Sequence, residues 1–585
     1  MNSSVDRGPM ANKASHAITT GNSLARQGHY REAETQYRYA IELDPLNADI
    51  HNNLANVLKE QNHFDEALSH YKKAIRYKPD NAMAHNNIGI LLREQGHPKE
   101  AIEHHQQALV LSPNYSEAYY NLANAFFDLK DFEGAVTNYK HALMINNNYA
   151  EAYMNLGNAL REQNQSNEAI SCYKQAIIIS PQYAEAYYNL GNLYLDLFQL
   201  QESIECFNNA LRLRPHYKEA HLNLGNAFRS SEQYKRALQC YASAQELDPH
   251  YAEAHLNEAF TRLLLGDFKE GWLKNEWRWD MNKMRPTQLT KPPWDGRALH
   301  GKTVLIHCEQ GLGDSLQFVR YVSHVKEKGG CVILLCPPPL ARLFKTIKGI
   351  DALYTNWEDL PSYDYHAALL SLPTLFFTDQ NTIPSFVPYI DSPPEQSSLW
   401  KERLKSYTGI KVGLVWAGNA RIDQRNAYLI DRRRSMNLNQ LSTLGTIPNI
   451  HLFSLQKGPP SNQITQSVFG AQLIDFMDLV SDFSDTAGLV SLLDLVIGVD
   501  TSVIHLAAAM AKPVWVLTRY DGCWRWMLDR DDSPWYPTLR LFRQKKNESW
   551  DIVINRVYSA LLDWQKTVNA LQDLQAAPQE PKQFF

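Results

Sequence analysis

No run of apolar residues in this 585-residue chain approaches the roughly 18 needed to cross a bilayer, so no membrane-spanning helix is expected. The opening MNSSVDRGPMANKASHA lacks the charged-then-apolar design of a secretory leader, which makes the cytoplasm the expected location. A net charge of -5 gives no electrostatic footprint for a general nucleic-acid binder. Cysteine is sparse at seven residues, and Cys172, Cys206 and Cys240 recur at one fixed step. That recurrence marks them as small buried hydrophobes of a repeated helix position rather than a disulfide framework. No Asp-x-Asp pair stands at the end of a strand-like run to hold a metal; Asp529 and Asp531 fall in a Trp-rich loop, WRWMLDRDDSPWYP. Its aromatics suit core or lobe packing better than base stacking.

What the chain has instead is a repeat. Pro45, Pro79, Pro113, Pro181, Pro215 and Pro249 share a period of about 34 residues, interrupted only by Asn147. Ala40, Ala74, Ala108, Ala142, Ala176, Ala210 and Ala244 keep the same step. With Pro45 at position 32 the first repeat begins at Ala14. Position 8 is then Gly or Ala throughout (Gly21, Ala55, Gly89, Ala123, Gly157, Gly191, Gly225, Ala259), which lets paired helices approach closely. Position 24 is aromatic in Tyr37, Tyr71, Tyr139, Tyr173, Phe207 and Tyr241, with His105 the exception. The terminal Pro ends the second helix of each unit. These positions define a tetratricopeptide-type solenoid of eight units, the last being GDFKEGWLKNEWRW after Leu265.

A second periodic set is asparagine: position 6 (Asn53, Asn87, Asn121, Asn155, Asn189, Asn223, Asn257) and position 9 (Asn22, Asn56, Asn124, Asn158, Asn192, Asn226). Three residues apart on a helix, the two sets share a face. Two readings stand. The amides bond between adjacent repeats, or they clamp an extended acceptor peptide through Asn87, Asn121, Asn155, Asn189 and Asn223, since a primary amide both donates and accepts. The arrangement, with phrases such as AEAYMNLGNALREQ (150–163), resembles the asparagine-lined solenoid of the protein O-GlcNAc transferases.

After RPTQLTKPPWDGRALHG (285–301) the period is lost and short apolar runs alternate with helical segments, as in parallel α/β units. TVLIH (303–307) and CVILLC (331–336) read as strands of one series; VGLVWAG (412–418), HLFSLQ (451–456), LDLVIG (493–498) and PVWVL (513–517) form a second, beyond a polar link at 393–409. Two Rossmann-like lobes are expected, with ligands at the carboxyl ends of their strands. There the polar residues gather. In EQGLGDSLQF, Gly311 and Gly313 permit a tight turn and Asp314 opens a helix, either as an N-cap or as a functional carboxylate. In GVDTSVIHLAAA, Asp500, Thr501 and Ser502 start a helix whose bare N–H groups attract phosphate, with His505 one turn on. The run Arg432 to Arg434, and Lys457, lie in loops after strands, as a solvated face or as partners for a diphosphate.

Taken in order, EQGLGDSLQFVRY, VGLVWAGN, FSLQKGP, GVDTSVIHLA and WRWMLDRDDSPWYPTLRLFRQ resemble bacterial tetratricopeptide proteins with a heptosyltransferase-like domain of glycosyltransferase family nine. The resemblance implies a GT-B fold and inverting transfer from a nucleotide-diphosphate sugar, with no cofactor and no catalytic metal. It places the base at Asp314, and the donor against Asp500, Thr501, Ser502 and His505, with Arg434 and Lys457 corresponding more loosely. The catalytic motifs of the O-GlcNAc transferases themselves are not found. The expected organisation is a disordered segment 1–13, repeats 14–281, a linker 282–300, an acceptor lobe 301–407, a nucleotide-sugar lobe 408–566 and a disordered tail 567–585. The acceptor is expected to be a protein or peptide in the repeat groove. The competing expectation is a non-catalytic scaffold with a degenerate GT-B domain; a third keeps the enzyme but gives it a glycan or lipid-linked acceptor.

Overall fold

The computed structural model describes residues 8–281, 285–419 and 425–576. The chain forms two compact units, Met1–Ala227 and Phe228–Phe585, and the boundary falls within the helix Lys218–Ser230.

Sixteen helices, from Gly8–Arg26 to Phe268–Asn275, make up the repeats. The first starts six residues ahead of Ala14, so the expected disorder over 8–13 is corrected: GPMANK carries good helix formers and its proline sits at the second helical position, where a missing N–H costs nothing. Residues 1–7 lie outside the described ones. In the first seven repeats the second helix stops two residues before position 32, as in Tyr30–Leu43 and Phe64–Tyr77. The intervening residue is pushed out of the helical region by the following proline, and Asp44 and Lys78 sit at φ -141° and -138°. Asn146, followed by Asn147 rather than proline, still adopts φ -128°.

The turn inside each repeat imposes a left-handed residue at position 15. Gly28, Asn62, Gly96, Lys130, Asn164, Phe198, Glu232 and Gly266 all lie between φ 61° and 83°. Glycine and asparagine take that conformation readily; Lys130, Phe198 and Glu232 are held in it by the turn's backbone hydrogen bonds, as where the Lys130 and Asp131 N–H groups donate to the Phe127 and Phe126 carbonyls. Position 8 works as the small-residue pattern implies. A Cβ on Gly21, Gly157 or Gly191 would fall 2.6–2.8 Å from the position-24 ring of Tyr37, Tyr173 or Phe207, and on Gly89 it would fall 2.6 Å from His105.

In the second unit one sheet has strand order β3-β2-β1-β4 and the other β10-β9-β8-β5-β6-β7, with every pairing parallel. The strands are β1 Thr303–His307, β2 Cys331–Leu335, β3 Ala352–Tyr354, β4 Tyr365–Ala368, β5 Ile410–Val415, β6 Ile450–Ser454, β7 Ile474–Asp475, β8 Leu495–Val499, β9 Val514–Thr518 and β10 Leu539–Arg543. β8 and β9 are buried at every residue, as strands covered on both faces by helices must be. The polar link contains a helix, Pro394–Leu404, that buries Trp400. Phe268 and Trp272 of the eighth repeat share one apolar core with Phe318, Trp524 and Trp535, so the Trp-rich loop is packing material. The expected disorder of the tail is corrected over 567–576: the helix Trp550–Ala576 runs through it, anchored by Val553, Ile554, Val557 and Leu561 in the core of the larger sheet. The rest of the tail lies outside the described residues.

Candidate functional site

Four strand ends meet at one cavity of about 490 Å³. β1 brings Gly311, Gly313 and Asp314, β5 brings Gly418 and Asn419, β8 brings Asp500 to Ser502, and β9 brings Thr518 and Arg519. His505, Arg434 and Arg525 complete the wall. Asp314 and Asp500 therefore face a common space, and so do Thr501, Ser502, His505 and Arg434. Lys457 does not join them: the exposed loop after β6 carries its ammonium to the carbonyl of Val480.

The turn after β1 is built differently from the glycine pattern. Gln310 takes the left-handed conformation at φ 62°, while Gly311 is extended at φ -83°. The glycines supply room instead: a Cβ on Gly313 would sit 3.2 Å from Cδ2 of His505. Asp314 is the third residue of the helix Leu312–Phe318 rather than its cap, and its Oδ2 accepts the Gly311 N–H at 3.1 Å. Its Oδ1 is ion-paired with Arg525, whose Nε donates to Gln317 Oε1 at 2.7 Å and whose Nη1 reaches Cys523 Sγ at 3.0 Å. Arg525 holds its proton more tightly than usual, because Cys523, Asp314 and Asp500 outweigh the cost of burying it.

Asp500 lies 3.6 Å from His505 Nε2, and the other ring nitrogen of His505 bonds the Tyr536 hydroxyl at 2.9 Å. Trp526 stacks on that imidazole at 5.5 Å. Burial alone would raise the Asp500 carboxyl, but His505, with Arg525 and Arg434, outweighs it and holds the group below the ordinary carboxylate range. Thr501 is the N-cap residue of Ser502–Ala509, yet its side chain makes no capping bond, and its Oγ1 is buried without a partner. The first N–H groups of that helix, with this hydroxyl, form a ready site for an anion. Arg434 closes the helix Arg425–Arg434 instead of standing in a loop; it pairs with Asp431 at 2.9 Å and donates to the Asp500 carbonyl at 3.0 Å. Arg525 and Arg519 line the cavity without having been found from the sequence; the tryptophans around Arg525 masked it as core.

The asparagine sets are coupled from repeat to repeat. Position-6 amides donate to position-9 carbonyls of the preceding repeat, Asn53 to Asn22, Asn87 to Asn56, Asn155 to Asn124 and Asn223 to Asn192, at 2.9–3.2 Å. The same carbonyls accept the position-24 hydroxyls, Tyr37 to Asn22, Tyr71 to Asn56 and Tyr139 to Asn124. Where His105 replaces tyrosine, Asn86 Oδ1 takes over, bonding the ring at 3.0 Å and accepting from Asn121 at 3.2 Å. Asn189 points its amide at Met154 Sδ, 3.3 Å away. The clamp residues are all half-buried, and their N–H₂ groups are spent on neighbouring repeats. What Asn87, Asn121, Asn155 and Asn189 retain is a carbonyl oxygen able to accept.

The family matches fall on the repeats. The family described as TPR repeat matches residues 21–62, 55–96, 91–130, 123–163 and 157–197, and the tetratricopeptide repeat family matches 184–217 and 219–251. Protein FlbA of Caulobacter vibrioides is 28% identical over 336 residues, 52% of this chain and 54% of FlbA. The chain thus spans about half the length of that curated relative. Among solved structures, PilF of Pseudomonas aeruginosa is 23% identical with a TM-score of 0.33, covering 35% of this chain and 94% of PilF. YrrB, titled a TPR protein with an unusual peptide-binding site, is 26% identical with a TM-score of 0.28, covering 32% and 95%. Among the described residues no helix is long and apolar enough to cross a membrane. The chain carries TPR repeats across residues 21–251, on a helical solenoid of the protein-interaction kind that precedes two parallel sheets.

Proposed function

We propose that the protein is an inverting glycosyltransferase of GT-B architecture that moves a monosaccharide from a nucleotide-diphosphate donor to an acceptor held by the repeats. One observation carries the reading: Asp314 from the smaller sheet, and Asp500 with the Thr501 helix end from the larger, line one cavity of about 490 Å³. In this reading the acceptor hydroxyl attacks the anomeric carbon and gives its proton to Asp314. The bond to the diphosphate breaks, and its electron pair leaves on the nucleotide. The unpartnered Thr501 hydroxyl, the first N–H groups of Ser502–Ala509 and the Arg434 guanidinium receive the charge that develops there. Asp500 faces the sugar hydroxyls. Arg525 holds Asp314 in the absence of donor, and an entering diphosphate competes for that guanidinium and frees the carboxylate. The acceptor is proposed to be a protein, and no metal enters the scheme.

One observation favours a second reading, a repeat scaffold with a non-catalytic α/β unit: both oxygens of Asp314 are already engaged, by Arg525 and the Gly311 N–H. A thermal-shift screen of nucleotide sugars separates the two. A stabilising donor, with transfer falling about 10²–10⁴-fold in Asp314→Asn while donor binding persists, supports the enzyme. Unchanged turnover in that variant removes Asp314 as base, and the absence of any stabilising donor leaves the scaffold.

A further inference from the structure

A second cavity, of about 570 Å³, lies at the carboxyl ends of β1 and β4, where the eighth repeat meets the smaller sheet. It shares no lining residue with the cavity of Asp314 and Asp500. Its roof is the stretch after Arg285, tied to the edge of β4 through the Pro293–His366 bridge and the Trp294 N–H to the His366 carbonyl at 2.7 Å. Such a volume is in the range of small-ligand sites.

Two imidazoles in its wall each keep one ring nitrogen without a partner, while His307 Nδ1 lies 4.0 Å from Glu309 Oε2. His307, the last residue of β1, is 1% exposed and its Nε2 has no partner; His366 Nδ1 is buried and equally unpartnered. Buried polar atoms are nearly always satisfied, so two orphans on one cavity point to a missing ligand. Burial, with His366 and Arg278 adding to it, pushes His307 down to about 3, and His366 is lowered as well, so both rings are neutral at physiological pH. A neutral imidazole offers one donor and one acceptor, according to its tautomer. A hydroxyl satisfies either.

The rest of the wall narrows the ligand further. Trp277 and Trp279 contribute indoles, with one face of Trp277 fixed by stacking on His255 at 4.0 Å. Glu276 and Asp280 make the cavity unwelcoming to an anion, and Arg285 to a cation. Among the described residues no group of three metal-ligating side chains occurs, which leaves the two imidazoles short of a metal site. Ring faces, neutral hydrogen-bonding groups and balanced charge suit a ligand with an apolar face and a rim of hydroxyls.

We infer that this cavity binds a neutral saccharide, its pyranose ring against the Trp277 and Trp279 indoles and its hydroxyls reaching His307 and His366. The inference concerns binding alone and stands apart from any transfer chemistry in the other cavity. The test uses the full chain and methyl glycosides of glucose, galactose, mannose, rhamnose and N-acetylglucosamine, followed by tryptophan fluorescence and saturation-transfer NMR. At least one glycoside is expected to saturate, with Kd on the order of 1 mM. Trp279→Ala and His307→Phe are each expected to weaken it at least tenfold; should either fail to fold by its thermal melt, His366→Phe takes its place. Asp500→Asn is expected to leave the affinity unchanged. The inference falls if no glycoside binds, if the wall variants bind as well as the parent, or if Asp500→Asn abolishes binding. It also falls if N-acetyltryptophanamide saturates the cavity and the glycosides do not.

Discussion

Gly313 and His505 meet where the first turn of one helix abuts another from the opposite sheet, so closely that a single added methyl would lie 3.2 Å from the imidazole Cδ2. Two effects oppose each other when that glycine is replaced. Alanine gains about 0.5–1 kcal/mol of helix preference and loses a similar amount to crowding. Valine adds two further methyls against a ring already fixed by Tyr536 and Trp526. Gly313→Ala is therefore expected to melt near the parent temperature, and Gly313→Val to lose about 1–3 kcal/mol. Urea unfolding measures both, and a Val variant as stable as the parent would show that the two helices part freely.

Asn124 serves two donors at once, the Tyr139 hydroxyl and the Asn155 amide at 3.1 Å. Asn124→Ala takes the acceptor from the Tyr139 hydroxyl in a buried setting, while the Asn155 amide keeps its bond to the Tyr120 hydroxyl at 2.9 Å, at a cost of about 1–3 kcal/mol. The double variant Asn124→Ala with Tyr139→Phe removes the stranded donor and is expected to recover part of that loss. Denaturant midpoints for the pair decide it; an additive loss would mean that the two groups act independently.

Lys130 occupies the left-handed position of its turn at φ 61° and is exposed. Glycine adopts that backbone without the steric cost, which is about 1 kcal/mol for an ordinary residue. Lys130→Gly is expected to raise the unfolding free energy by up to that amount despite glycine's greater freedom in the unfolded chain. A fall in stability would refute the account of position 15.

Glu309 gives a pH dependence of definite sign. Burial pushes its carboxyl from 4.5 up to about 7, although Arg278 is paired with it at 3.0 Å and the Leu369 and Leu370 N–H groups donate to it. The folded state then binds the proton more tightly than the unfolded chain does. This group's contribution is therefore most favourable below pH 4.5 and is lost as the pH climbs through 7. Glu309→Gln is expected to flatten the change in Tm between pH 5 and 8, whatever it does to the absolute value. An identical slope in that variant would assign the dependence elsewhere.

The repeats were legible because each structural demand recurs, the small residue eight times and the proline and the aromatic ring six times each. Proline at position 32, a small residue at position 8 and a ring at position 24 each name their neighbour. The runs that became β1, β2, β5, β6, β8 and β9 were legible because each carries three or more consecutive buried residues, most of them apolar. β3 and β4 were not: β3 is half-exposed along its length and β4 over its first two residues, so neither leaves an apolar run. Within the site, Asp314, Asp500, Thr501 and His505 could be found from their place after strands. Arg525 could not, since its partner lies 211 positions away and its sequence neighbours are tryptophans. Lys457 was misplaced for the opposite reason: position after a strand says where a backbone ends, not where a long side chain turns.

The position-6 amides of the solenoid, from Asn53 to Asn223, each reach back to the unit before. A pull on the free end would consequently meet a row of similar latches, none reinforced from farther along. With each repeat leaning on its neighbours, resistance to such a pull is a sum of similar neighbour-to-neighbour contributions rather than one shared core.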